Sequence, residues 1–135
     1  MMKVLLDTHI MLWAFNNDVQ LSSTARRLIN DTDNEKYYSI ASLWEVEIKH
    51  LLRPDKITTD SKTLFAYCRQ TSIRMLPIKE QHIFALGSLK RKDGAPPNKD
   101  PFYRIMLCQA MADNMFLLTH DKLLADYEQS SVILV

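Results

Sequence analysis

The sequence predicts an α/β fold, a three-layer α/β/α sandwich around a central parallel sheet. Short apolar runs alternate along the chain with longer segments whose apolar residues recur at helical spacing, the pattern of successive βα units. The first run, Val4-Leu5-Leu6, is contiguous and suits a strand covered on both faces. The chain has 135 residues, 47% of them hydrophobic and 24% charged. That is enough for one core and too short for two ordinary domains, so residues 1–135 are expected to form a single domain.

The elements follow in order. Residues 3–6 read as a strand with Asp7 at its end, and 8–15 as a helix that carries Trp13 and Phe15. After a turn-like stretch, Ser22 or Ser23 caps a helix with Ala25, Leu28 and Ile29 on one side. Residues 36–40 form a short strand, and 42–52 a helix with a broad apolar face that includes Leu43, Trp44, Val46, Ile48, Leu51 and Leu52. Pro54 ends that helix. Residues 58–70 form another, with Leu64, Phe65 and Cys68 inward, and 73–78 a strand centred on Met75 and Leu76. Residues 80–89 are helical, whereas 90–99 contain Gly94, Pro96 and Pro97 and must be an exposed loop. Asp100-Pro101 opens a helix that runs to about 113. A strand at 115–118, a short helix at 122–127 and a strand at 132–135 complete the chain.

Composition removes several function classes. Seventeen Lys and Arg against sixteen Asp and Glu leave a net charge of +1, so an anionic partner must be recognised locally. The two glycines, Gly87 and Gly94, cannot build a dinucleotide fingerprint, a P-loop or a kinase glycine loop, each of which needs clustered glycines. Cys68 and Cys108 are too few for a disulfide framework and lie in apolar helical runs, consistent with a reducing cytoplasm. The N-terminal apolar run is too short for a signal peptide, and no run approaches the roughly eighteen apolar residues of a membrane span.

Chemistry is expected at the carboxyl ends of the parallel strands, where open α/β sheets bind ligands. Asp7 and Asp121 both follow a strand directly, although each could equally cap a helix or stabilise a turn. Glu45 carries two competing readings: Ser42-Leu43-Trp44-Glu45 fits a capping box, and its helix also starts at the same sheet edge. Asp100 is both a candidate N-cap and a candidate ligand. Carboxylates gathered in one place call for a hard divalent cation, Mg²⁺ or Mn²⁺. Zinc is disfavoured because His9, His50, His82 and His120 show no zinc spacing; His82 reads as structural, whereas His9 and His120 sit beside candidate acids. Such a site suits phosphodiester hydrolysis. Five basic residues, Lys90, Arg91, Lys92, Lys99 and Arg104, against Asp93 and Asp100 form a local positive stretch able to hold a nucleic-acid backbone. A phospho-receiver is disfavoured, because Asp7 is followed by Thr8 and His9 and not by a second acid.

These residues together resemble the PIN-domain proteins, specifically the VapC-type ribonuclease toxins. The resemblance spans nearly the whole chain and is carried by Leu5-Leu6-Asp7-Thr8-His9, by the block from Ser39 through Trp44-Glu45 to Lys49, by Asp100-Pro101-Phe102-Tyr103-Arg104 followed by Gln109-Ala110, and by Leu117-Leu118-Thr119-His120-Asp121. It implies a PIN-like sandwich and a metal-dependent endoribonuclease whose acidic cluster binds Mg²⁺ or Mn²⁺. Asp7, Glu45 and Asp121 match the family's acidic positions, with Asp100 as a further catalytic and metal-ligating candidate. It also implies an RNA substrate, a small antitoxin partner and a homodimer. The third block departs from the family's H-x-D-P-F-D-R: Tyr103 stands where relatives carry the second aspartate, and Asn98 where they carry histidine. A neutral phenol is a poor Mg²⁺ ligand, so the departure implies a weakened site or a degenerate domain that binds without efficient cleavage.

Overall fold

The computed structural model describes residues 1–95, 100–122, 127 and 131–135. Among these, five strands pair side by side, all parallel, in the order β3-β2-β1-β4-β5: β1 (Lys3–Leu6), β2 (Glu35–Ser39), β3 (Arg74–Leu76), β4 (Phe116–Thr119) and β5 (Val132–Leu134). The helices between them are α1 (Thr8–Phe15), α2 (Ser23–Asn30), α3 (Ile40–Leu52), α4 (Ser61–Gln70), α5 (Glu80–Phe84) with a 3₁₀ turn at Ala85–Ser88, and α6 (Pro101–Ala112).

The period-two alternation of side chains explains the layers. Val4 and Leu6 of β1 point with Tyr38 and Leu118 toward Ile10, Met11, Ala25, Ile29, Leu64 and Cys68, so α1, α2 and α4 cover one face. Leu5 and Leu117 point the other way, onto Met106, Leu107 and Ala110 of α6. A strand buried on both sides needs an unbroken apolar run, which is what 4–6 supply. Burying each such leucine contributes about 2 kcal/mol. The expected three-layer sandwich is the one observed.

Several boundaries differ from expectation, each for a local reason. Helix α3 starts at Ile40, because the Ser39 hydroxyl accepts from the Ala41 N–H (3.0 Å) and caps it. Ser42 and Glu45 therefore lie inside the helix, and the capping box anticipated there does not form. Helix α4 starts at Ser61, where Asp60 accepts from the Thr63 N–H at 2.8 Å. Trp44, Leu51 and Leu52, read as part of the apolar face of the helix, and Phe65, expected to face inward, are exposed, Trp44 by 65%. The Asp100 cap and Pro101 at N1 stand as expected. Cys68 and Cys108 are buried free thiols, pushed up to about 12 and about 11 by burial. His82 is structural: its buried Nδ1 accepts from the Lys79 N–H (2.9 Å), and Nε2 meets Asp113 Oδ1 at 3.0 Å. Most of the short helix anticipated at 122–127 lies outside the described residues.

Candidate functional site

In the strand order β3-β2-β1-β4-β5 the chain leaves β1 toward β2 on one side, and β4 lies on the other. This reversal opens a crevice at the carboxyl ends of β1 and β4, the usual ligand position in open parallel sheets. Asp7 follows β1 and Asp121 comes two residues after the end of β4, so the topology delivers both to it.

Asp7 is fixed from three directions. Its N–H donates to the Leu118 carbonyl (3.0 Å), Oδ1 accepts from the Thr8 N–H (2.7 Å) as the N-cap of α1, and Oδ2 accepts from the Thr119 hydroxyl (2.7 Å). The same hydroxyl oxygen accepts from the Asp121 N–H at 3.0 Å, so Thr119 ties the two acids together. Asp7 is only 2% exposed. Burial pushes its carboxyl up to about 7, aided by the charges of Glu45 and Asp121 and opposed by the hydrogen bonds from Thr119 and Thr8.

A second layer lies behind Thr8. Its hydroxyl donates to Glu45 Oε1 (2.7 Å) and accepts from Ser42 Oγ (2.8 Å). The other oxygen of Glu45 accepts from Lys49 Nζ at 2.5 Å, one turn further along α3. Glu45 is fully buried, whereas the Lys49 side chain is 40% exposed. Glu45 is thus linked to Asp7 through one residue, Thr8, whose hydroxyl meets Glu45 and whose N–H meets Asp7, while the Lys49 ammonium meets the other Glu45 oxygen.

Tyr103 enters from the first turn of α6 and is 9% exposed. Burial pushes its phenol well above the ordinary range, and the charges of Asp7, Glu45, Asp121 and Asp100 push it further, so the hydroxyl stays neutral. Asp100 accepts from the Phe102 N–H at 3.0 Å and makes itself felt electrostatically at His9 and Tyr103. His9 is lowered below its ordinary value, first by burial and then by Lys49. Among the described residues, Asp7, His9, Trp13, Tyr103, His120 and Asp121 line one cavity of about 240 Å³.

The four anticipated carboxylates are therefore brought into one neighbourhood but not onto one point. Asp7 and Asp121 face the cavity, Glu45 stands behind Thr8, and Asp100 caps α6. Among the described residues no three His, Cys, Asp or Glu side chains converge to hold an ion. Of the basic stretch, Lys90 and Lys92 are exposed, and Arg91 stacks its guanidinium 4.7 Å from the ring centre of Tyr127. Arg104 is half-buried on α6, where its charge lowers Cys108 against the effect of burial. Lys99 lies outside the described residues.

A family model for the PIN domain matches residues 4–129. The chain belongs to the PIN-domain family. Solved structures with the same fold include VapBC2 from Rickettsia felis bound to a DNA fragment from its promoter, with a TM-score of 0.65 at 16% identity over 99% of this chain and 98% of that one. Another is VapBC-1 from nontypeable Haemophilus influenzae, with a TM-score of 0.58 at 17% identity over 90% of this chain and 88% of that one. No curated protein of similar sequence was found.

Four residues of this PIN domain whose contacts at the site the sequence reading did not anticipate shape it: Thr8, Ser42, Thr119 and Lys49. Lys49 had a signal, since a lysine four residues after a glutamate on a helix is positioned to meet it. Thr119 had a weaker one, as a polar residue closing a buried strand. Nothing local marks Thr8 and Ser42, because their partners are 37 and 34 residues away.

Proposed function

We propose that this PIN domain, with residues 1–135 acting as one unit, is a metal-dependent endoribonuclease and the toxin component of a toxin–antitoxin pair. PIN domains are generally nucleases. The observation that carries the reading is the delivery of Asp7 and Asp121, by two adjacent parallel strands, to the walls of one cavity, with Glu45 linked to Asp7 through Thr8. Asp7 and Asp121 offer hard oxygen donors, and the crowding of negative charge that helps push Asp7 up is what a divalent cation relieves. These residues fit Mg²⁺ or Mn²⁺ held by one or two carboxylates with its remaining positions left to water and phosphate, the habit of Mg²⁺ in nucleotide chemistry. Asp7 and Asp121 would hold it directly, with Glu45 and Asp100 as the further candidates. When bound, the ion orients a water, eases its deprotonation and stabilises charge on the phosphate.

The chain's own contributions are positional. Thr119 and the Thr8 amide fix the Asp7 carboxylate, Thr8 carries that order on to Glu45, and Lys49 keeps the buried Glu45 charge compensated. Lys90, Arg91, Lys92, Lys99 and Arg104 supply the positive stretch for the RNA backbone. A small antitoxin protein and a second copy of the chain are the proposed partners, and both structural neighbours are named as VapBC assemblies. No helix among the described residues is long and apolar enough to cross a membrane; the cytoplasm is the proposed compartment.

The test is cleavage of structured RNA with Mn²⁺ by the protein and by Asp7→Asn. The substitution is expected to reduce the rate by more than roughly 100-fold, beyond the usual effect of losing an outer contact to a metal site; equal cleavage by both sinks the reading. One observation favours a second reading, a degenerate domain that binds without efficient cleavage: the neutral Tyr103 hydroxyl sits among the carboxylates where relatives place an acid. On that reading Tyr103→Asp creates or raises activity in the same assay. No gain counts against Tyr103 as the defect.

A further inference from the structure

His9 and Trp13, one turn apart on α1, line not only the cavity of Asp7 and Asp121 but also a second cavity of about 340 Å³. Trp13 is half-buried between two imidazoles. Its ring centre is 6.0 Å from that of His9, tilted by 37°, and 5.3 Å from that of His120, edge-on at 74°. His9 and Trp13 line both cavities, whereas His120 lines only the acidic one. The rest of that second cavity's lining includes the polar residues Asn16, Asp18, Gln20, Lys56 and Thr58 beside Leu12 and Ile57. Asn16 Nδ2 donates to the Leu12 carbonyl (2.9 Å), and the Asp18 carboxylate accepts from the Gln20 N–H (2.9 Å), so two of these groups are held in place.

We propose that this second cavity is a nucleobase subsite of a single-stranded RNA, in which a base adjoining the scissile phosphate stacks on Trp13 and its edge meets the amides and hydroxyls beyond. The inference rests on the nuclease reading, which places the phosphate at Asp7 and Asp121. Its size is within the usual range for a small-molecule site, roughly 300–1,000 Å³. The chemistry matches base recognition, since an aromatic platform accepts any base by its face while side-chain amides and hydroxyls discriminate at its edge. Asp18 accepts from base N–H groups and repels phosphate, which keeps the backbone out of the cavity. Lys56 is the cation beside it.

Trp13 and Trp44 are the only two tryptophans, so Trp44→Phe leaves Trp13 as the sole indole reporter. The full-length Trp44→Phe protein is titrated with short single-stranded oligoribonucleotides in Ca²⁺, while anisotropy of labelled RNA measures binding independently. Saturable quenching of Trp13 is expected, weaker for an oligonucleotide with abasic positions. Trp13→Ala is expected to weaken RNA binding by at least about 5-fold, whereas Trp13→Phe retains most of it. Gln20→Ala is expected to narrow the difference in affinity between oligo-A and oligo-U. RNA binding by anisotropy without quenching of Trp13, or equal quenching by abasic and intact strands, overturns the subsite and leaves the nuclease reading intact. Quenching by an antitoxin peptide but by no RNA assigns the cavity to a protein partner and overturns it too. No binding of any oligonucleotide by either readout overturns the RNA reading and the subsite together.

Discussion

Asp7 and Glu45 are two carboxylates buried to nearly the same extent within one neighbourhood, yet their surroundings solve the problem of burial differently. Asp7 is met only by neutral donors, the Thr8 amide and the Thr119 hydroxyl, and its proton affinity rises until it titrates near 7. Glu45 is met by one hydroxyl and one full positive charge, that of Lys49. Hydrogen bonds from neutral groups soften the cost of burying a charge but do not cancel it, whereas a counter-ion does most of the work by Coulomb attraction. The difference sorts the two acids by surroundings: the one without a resident cation is the one lining the cavity, where the proposed metal ion would bind.

The sharpest test of that contrast is pH. An unfolded aspartate titrates near 3.9, so Asp7, at about 7, binds its proton more tightly in the folded state. Between those values the native protein holds more protons than the unfolded chain, and stability must fall as pH rises. The penalty is absent below about pH 4, grows through the window and is complete above about 7, at up to roughly 1.4 kcal/mol per pH unit. Other groups titrate at its acid end, notably Glu47 and Asp60, which hydrogen bonds from Ser61 and from Thr63 hold below the usual range, so the difference between two proteins is the quantity to measure. Asp7→Asn mimics the protonated acid and should gain on the parent steadily from pH 4.5 to 7.5 in urea midpoints taken with EDTA. Parallel curves would mean that Asp7 is not the source.

The parts of this arrangement legible in the sequence are those fixed by neighbours along the chain. The run 4–6 followed by Asp7 announced a buried strand and an acid at its end, and Asp100-Pro101 announced a cap and N1 proline. The start of α3 was less legible because Ser39 and Ser42 are both competent caps; the choice went to Ser39, which closes β2 and turns directly into the helix. The same choice released Glu45 from a capping role and sent it toward Thr8. Apolar residues on several sides of α3 blurred which side was inward, so Trp44 and Leu52 were misplaced, and the buried face carries Ser42 and Glu45 beside Ala41 and Val46. The cross-links that make a site out of separate acids, Thr119 to Asp7 and Thr8 to Glu45, span 112 and 37 residues and leave no local pattern to read.

A smaller effect is expected from converting the second acid into a likeness of the first. Lys49→Met removes the ammonium and leaves Glu45 fully buried with only the Thr8 hydroxyl. Breaking a buried pair from one side costs about 3–5 kcal/mol; because the Lys49 side chain is 40% exposed and water reaches it, the low end, about 3 kcal/mol, is expected. For a chain of this size that is a fall in Tm of roughly 10 °C. Adding Glu45→Gln to Lys49→Met removes the stranded charge and should recover much of the stability, which a double-mutant cycle reads as a coupling well above the few tenths of a kcal/mol of independent sites. An additive cycle would show that the ammonium merely rests on Glu45 at the surface, and that the two buried acids differ for some reason other than the charge beside them.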